Sequence, residues 1–275
     1  MIQIRRLVFR RVAYLTVTVV VSVAALPAEA GPELASHRSV YGLKLGTVKQ
    51  GGAYVDARGA LNMVIEKTCD GWVMAQDMAM ELDTVQGGQV RQAVRFTGWE
   101  SLDGRDYRFA ARTQTGGERR ESRGEAHITT ADTPGEVTFQ LPQEGKIPLP
   151  EGTRFPVAHS VWLIERALAG ERQAPSVVFD GSDGEGPQQV TAFIGRRLEP
   201  NEHGRATLGP LTEQVGWNMR LAFFPVEGRA ASPEYEMEVL QLANGVAPRL
   251  VLDYRDFSVV LEIKKVEPIP APTCK

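Results

Sequence analysis

Apolar and polar residues alternate with a period of two along most of the chain. In the longest such segment, residues 72–82, the large apolar side chains share one face of the predicted strand. Similar alternation predicts strands at residues 41–45, 61–65, 90–96, 107–111, 137–141, 217–223 and 257–263. Shorter apolar runs predict further strands at residues 177–179, 190–194, 235–239 and 250–254.

Turn signals separate these strands in the manner of antiparallel hairpins. They are Asp70-Gly71, Gly87-Gly88, Asp103-Gly104, Gly116-Gly117, Asp180-Gly181, Asp183-Gly184 and Asn244-Gly245. The arginine-rich stretch 112–123 is interleaved with glutamates, which favours a surface hairpin over a polyanion site. Parallel strands would need crossover helices, for which the segments between the strands are too short.

One helix is predicted, from Val157 to Leu168, with Pro156 before it and Gly170 after it. Its apolar residues cover most of its circumference, so we expect it to be buried on most sides. A single sheet of about ten antiparallel strands tends to curl or close. The sequence therefore predicts a mainly β protein, a large antiparallel sheet in the form of a half-open barrel that partly wraps one or more helices.

The first thirty residues have the order of a secretory signal peptide. Four arginines precede an apolar run at residues 12–26, and Ala28-Glu29-Ala30 offers a small-x-small cleavage site. We predict cleavage after Ala30, a periplasmic location, and a single domain at residues 31–275. An uncleaved amino-terminal anchor is the alternative. No later segment is long enough to span a bilayer as a helix.

Composition and charge exclude some classes of protein. The 275 residues include 31 Lys and Arg against 34 Asp and Glu, with 43% hydrophobic residues, which is typical of a globular protein. The net charge of -3, without a basic patch beyond the first dozen residues, argues against nucleic-acid binding.

The two cysteines lie far apart, Cys69 early in the chain and Cys274 in a proline-rich tail. In an oxidising compartment an even number of cysteines normally pairs. We therefore predict a Cys69–Cys274 disulfide that ties the tail to the domain. The alternative is two free thiols, one of them on an exposed tail.

A search for catalytic or metal-binding motifs finds none of the common ones, and no cofactor or metal is expected. His159 and Ser160 are neighbours on the predicted helix, but adjacent helical side chains point in different directions, which argues against a catalytic dyad. The acidic run 180–186 fits a hairpin turn better than a calcium loop, and a weak surface ion site is the alternative.

The methionine and aromatic residues are suited to lining an apolar binding cavity in a half-open barrel. The candidate ligand-binding residues are Trp72, Met74, Met78, Trp162, Trp217 and Phe223. The alternative is an ordinary filled core, since methionine packs irregular interiors as readily as it lines adaptable pockets.

Several segments resemble the EipB family of periplasmic cell-envelope integrity proteins. They are ASHRSVYGL at residues 35–43, VFDGSDGEG at residues 178–186, WNMRLAFFP at residues 217–225, and the widely separated cysteine pair. Gly42 departs from the pattern, which has an acidic residue after the tyrosine. The resemblance extends over essentially the whole chain after residue 30.

The resemblance implies a β-spiral similar in shape to the lipoprotein carriers LolA and LolB, and a disulfide between Cys69 and Cys274. It also implies a role in maintaining the cell envelope, without a known enzymatic activity. We expect a lipid or lipoprotein ligand, or other periplasmic envelope proteins, as partners. The alternatives are a scaffold protein with a filled core, and a hydrolase whose site is assembled from distant residues.

Overall fold

The computed structural model describes residues 31–129, 134–226, 231–254 and 256–274. The predicted signal peptide, residues 1–30, lies outside the described residues. Within the described ranges, the structure contains no helix with the length and apolarity needed to cross a bilayer.

Strands account for most of the described chain. They are β1 (His37–Val48), β2 (Tyr54–Lys67), β3 (Gly71–Thr84), β4 (Gln89–Ser101), β5 (Asp106–Thr115), β6 (Glu118–His127), β7 (Gly135–Leu141), β8 (Gly145–Leu149), β9 (Thr153–Arg154), β10 (Gln173–Val178), β11 (Gln188–Leu198), β12 (Gly216–Pro225), β13 (Tyr235–Leu242), β14 (Arg249–Asp253) and β15 (Phe257–Pro268). The helix α1 spans Pro156–Leu168, and two short 3-10 turns span Ala206–Leu208 and Pro210–Thr212.

These strands form one sheet of 15 strands, in the order β8-β7-β6-β5-β4-β3-β2-β1-β15-β14-β13-β12-β11-β10-β9. Strands β1 and β15 pair antiparallel and so join the beginning of the domain to its end at the centre of the sheet. Only the short strand β9 pairs in parallel, with β10. The sheet curls into a nearly closed barrel whose edges are β8 and β9, which confirms the predicted fold class.

Each strand predicted from alternation is present, in most cases with additional residues at its ends. The arginine-rich stretch forms the hairpin of β5 and β6 and turns at Gly116-Gly117. The inward positions of β6 hold small side chains, Ser122, Gly124 and Ala126, and therefore give no strong apolar signal. Strands β8 and β9 are too short for periodicity to reveal them.

The interior contains three clusters of buried apolar residues, and α1 packs between two of them. Val157 and Ile164 belong to a cluster formed mainly by strands β3–β7. Leu163 and Ala167 belong to a second cluster formed by β10–β13. The helix therefore fills the space between the two halves of the curled sheet, as the apolar helix surface predicted. A third cluster packs around β1, β2 and β15.

Candidate functional site

An apolar cavity of about 210 Å³ lies between the first turns of α1 and the inner face of the sheet. Strands β2, β3, β12, β13 and β14 form its walls together with the helix. The apolar lining includes Met63, Ile65, Met74, Leu163, Met237 and Leu250. Three flexible methionine side chains line this cavity, and methionine adapts to ligands of varied shape.

The ring of His37 also lines the apolar cavity and is 1% exposed. Its Nδ1 lies 2.7 Å from the carbonyl oxygen of Ala35. Because a carbonyl oxygen only accepts hydrogen bonds, Nδ1 carries the proton and Nε2 carries the lone pair. Burial lowers the pKa of His37 and keeps the ring neutral. Within the described part of the chain, Nε2 has no hydrogen-bond partner.

Of the six ligand-binding candidates predicted from the sequence, Met74 lines the apolar cavity. Trp72, Met78, Trp217 and Phe223 are buried in the three core clusters. Trp162 is half-buried on α1, where the guanidinium of Arg154 lies 4.4 Å from the ring centroid. The structure thus divides the candidates between the cavity wall and the packed interior.

A second, polar cavity of about 400 Å³ lies between β4–β6 on one side of the interior and β13–β14 on the other. The loop that joins β10 to β11 covers it with Ser182, Asp183 and Glu185. Asp183 lines the cavity and keeps part of its surface exposed to solvent. Burial and the negative charges of Asp180 and Glu185 raise the pKa of Asp183 to about 6.

The β10–β11 loop is anchored to the core by specific contacts. The hydroxyl of Tyr107 donates a hydrogen bond of 2.8 Å to the carbonyl oxygen of Asp180. Phe179 packs among aromatic side chains that include Phe109 and Phe139. Gly181 has a φ of 69° and lies against the ring of Phe109. The start of the predicted turn is therefore fixed against the core at the edge of the polar cavity.

We expect Gly181→Ala to lower the free energy of unfolding by about 2 kcal/mol. The added Cβ would lie 2.4 Å from the Phe109 ring in a left-handed backbone conformation, so strain and overpacking add. Gly116→Ala is the matched control, since Gly116 has a φ of 57° and open space around it. Urea denaturation of both variants makes the comparison, and equal losses would show that the loop is not held against Phe109.

No group of three or more histidine, cysteine, aspartate or glutamate side chains suited to hold a metal ion occurs in the described parts of the chain. The acidic run 180–186 forms the loop between two antiparallel strands, as the hairpin interpretation predicted. Within this loop, the backbone N–H groups of Ser182 and Glu185 donate to the side-chain oxygens of Asp180 and Asp183.

The buried histidine on α1 pairs with a serine that the sequence did not indicate. Nε2 of His159 lies 3.1 Å from Oγ of Ser176 on β10, whereas the hydroxyl of Ser160 donates to the backbone carbonyl of Pro156. Burial lowers the pKa of His159 to about 3, so the ring is neutral. Ser176 lines neither the apolar nor the polar cavity.

The amino end of α1 is capped by a residue from a distant strand. Oε2 and Oε1 of Glu100 accept hydrogen bonds of 2.7 Å from the backbone N–H groups of Val157 and Ala158. The helix has no side-chain cap of its own at Phe155. Glu100 therefore positions the first turn of the helix, which forms part of the wall of the apolar cavity. No local sequence pattern predicts a cap that lies more than fifty residues away.

A disulfide joins Cys69, in the turn between β2 and β3, to Cys274 in the carboxyl-terminal tail. The two Cα atoms lie 5.6 Å apart, within the usual range for a disulfide. Residues 269–274 are largely exposed, and the N–H of Ile269 donates to the carbonyl of Ser36 at 2.9 Å. Among the described contacts, the disulfide is thus the main link between the end of the tail and the rest of the domain.

A comparison with known protein families finds a match over most of the chain. The sequence profile described as EipB-like matches residues 28–270. The chain belongs to the EipB-like family.

Two relatives agree with this assignment. The Cell envelope integrity protein EipB of Brucella abortus (strain 2308) is 26% identical over 249 residues, which cover 88% of this chain and 87% of the relative. A crystal structure of a beta-barrel-like protein of unknown function from Brucella abortus superposes with a TM-score of 0.78 at 24% identity. That match covers 88% of this chain and all of the other, and shows that the two proteins share a fold.

Proposed function

We propose that this EipB-like protein is a non-enzymatic protein of the periplasm that helps to maintain the cell envelope by holding an apolar envelope component. The name of its Brucella relative supports the envelope role. The signal-peptide pattern of residues 1–30 supports the periplasmic location. The observation that supports an apolar ligand is the apolar cavity between α1 and the sheet.

The apolar cavity favours a carrier or sensor over a scaffold with a filled core. Natural interiors are close-packed and leave few voids larger than a water molecule, so a space of about 210 Å³ inside the fold is notable. Apolar side chains form most of its wall, which suits an acyl chain or an apolar peptide segment. His159 and Ser160 line this space, but they bond to Ser176 outside it and to the Pro156 carbonyl, which favours binding over hydrolysis.

Titration with an environment-sensitive apolar dye tests this proposal. We expect saturable binding that octanoate or a longer fatty acid displaces, because burial of each methylene contributes about 0.8 kcal/mol. Met74→Trp and Val239→Phe, each of which fills the apolar cavity, should weaken dye binding at least tenfold. Ala79→Trp, on the exposed outer face of β3, is the matched control.

Circular dichroism of each variant separates loss of binding from loss of folding. If the dye fails to saturate the unmodified protein, or if both filling variants bind it normally, the apolar cavity is not a ligand site. Native mass spectrometry of protein isolated without detergent would then be expected to show the bare chain. An apolar adduct in that spectrum would instead identify the occupant directly.

A further inference from the structure

Residues that line the apolar cavity and residues that line the polar cavity are neighbours on the inner faces of β13 and β14. Met237 lines the apolar cavity, and Leu252, its direct partner in the β13–β14 ladder, lines the polar cavity. Two residues along β13 on the same face, Tyr235 also lines the polar cavity. Along this inner face, the residues that line one cavity are therefore followed directly by residues that line the other.

The distance covered matches a small amphiphile. From Val239, in the wall of the apolar cavity, to Tyr235, in the wall of the polar cavity, β13 advances four residues, or about 13 Å. Tyr254 continues the polar cavity at the end of β14. A chain of about eight carbons with a head group spans such a length.

The charges around the polar cavity favour a positively charged group. Asp183, Glu185 and Asp253 line it and make no ion pair among the described residues. Glu121 is already neutralised by ion pairs with arginines of its own hairpin. Among the residues that the structure describes, Arg120 is the basic residue of the lining, so three carboxylates there stand against one guanidinium.

Aromatic rings and a hydroxyl complete the polar cavity. Tyr235 stacks on Phe223 at a centroid distance of 4.3 Å, and Tyr254 stacks on Phe257 at 5.2 Å. Their packing holds both tyrosines in place, and tyrosine faces attract organic cations. Ser122, 3% exposed, also lines the cavity, and its hydroxyl has no hydrogen-bond partner among the described residues.

We propose that the two cavities form one site for a single-chain amphiphile whose head group carries an ammonium group. The chain lies against Met237 and Leu250 under α1, and the ammonium group lies near Asp183 and Asp253. This ligand class rests on the proposed function, because it places the chain in the apolar cavity.

Calorimetric titration with octylammonium and octanoate, at equal chain length and below micelle-forming concentrations, tests this ligand class. We expect octylammonium to bind at least tenfold more tightly, because a charge-assisted contact contributes more than 1.4 kcal/mol. Butylammonium should bind at least tenfold more weakly than octylammonium, because it lacks four methylenes of the buried chain.

Substitutions at the two ends of the proposed site test which end binds the ammonium group and which binds the chain. Asp183→Asn combined with Asp253→Asn should remove the preference for octylammonium while octanoate still binds. Asp77→Asn, which changes an exposed carboxylate paired with Arg95 on the outer face, is the control for net charge. Met237→Trp should block the junction and weaken both octyl compounds at least tenfold.

The possible results separate this inference from the proposed function. If neither octyl compound binds, the proposed function fails and the inference fails with it. If octanoate and octylammonium bind equally, the apolar cavity remains a chain site but the ammonium selectivity is wrong. If butylammonium binds as tightly as octylammonium, the two cavities are separate sites and the single-amphiphile inference is overturned.

Discussion

Cys69→Ser is expected to lower the free energy of unfolding by about 4 kcal/mol. The disulfide spans 205 residues of sequence, so it restricts almost the whole unfolded chain. The chain-entropy treatment gives about 5 kcal/mol for a loop of this length, and removal of native disulfides costs 2–5 kcal/mol. Most of the loss arises in the unfolded state, since the tail itself buries little surface.

Urea denaturation of protein purified from the periplasm measures this effect. Cys274→Ser and the double serine variant should lose as much stability as Cys69→Ser, because all three remove the same covalent link. Reduction of the unmodified protein should reproduce the loss. A change below 1 kcal/mol, or peptide mapping that found both thiols free, would contradict the pairing as a stabilising element.

Glu100→Ala is expected to cost about 4 kcal/mol near pH 5. The carboxyl is 1% exposed, and its removal leaves the N–H groups of Val157 and Ala158 without acceptors inside the protein. Each buried unsatisfied group costs about 1–3 kcal/mol, and the vacated space adds a packing loss. Because Glu100 positions the first turn of α1, the variant should also weaken apolar dye binding.

The loss of stability in the same variant should depend on pH. Burial raises the pKa of Glu100 to about 7, against the opposing effect of the two backbone hydrogen bonds. Between pH 4.5 and 7 the carboxyl of Glu100 is deprotonated in the unfolded chain but still protonated in the folded protein. The contribution of Glu100 to the free energy of unfolding is therefore complete below pH 4.5 and declines as the pH rises to 7. The decline over that window is on the order of 3 kcal/mol.

We therefore expect the destabilisation by Glu100→Ala to be largest near pH 5 and clearly smaller at pH 8. Comparing the two proteins at each pH cancels the contribution of His159, which both retain. Glu125→Ala, on the exposed face of β6, is the control and should change stability by less than 0.5 kcal/mol. An equal loss at pH 5 and pH 8 would show that Glu100 titrates normally.

The strands and the helix could be predicted because their signals are local. Alternation between Trp72 and Leu82 needs only the two-residue repeat of a strand with one buried face, and α1 is bounded by Pro156 and Gly170. Local signals fail where inward side chains are small, as in β6, or where a strand is only a few residues long, as in β8 and β9.

The functional geometry depends on contacts between distant residues, so the sequence could only suggest it. Trp217 and Met74 are both buried in core clusters, yet Met74 also lines the apolar cavity and Trp217 does not. Nothing in the sequence pairs His159 on α1 with Ser176 on β10. Which apolar residue packs and which lines a space depends on the curvature of the whole sheet.

The sequence by itself therefore determined the antiparallel strands, the helix α1 and the availability of one cysteine pair. These follow from the strand and helix periods and from turn residues, which act over a few positions. Only the tertiary structure decided that Glu100 caps α1 and that Met237, in the wall of one cavity, pairs with Leu252, in the wall of the other. Those arrangements arise when a long sheet curls and brings strands together that are far apart in the chain.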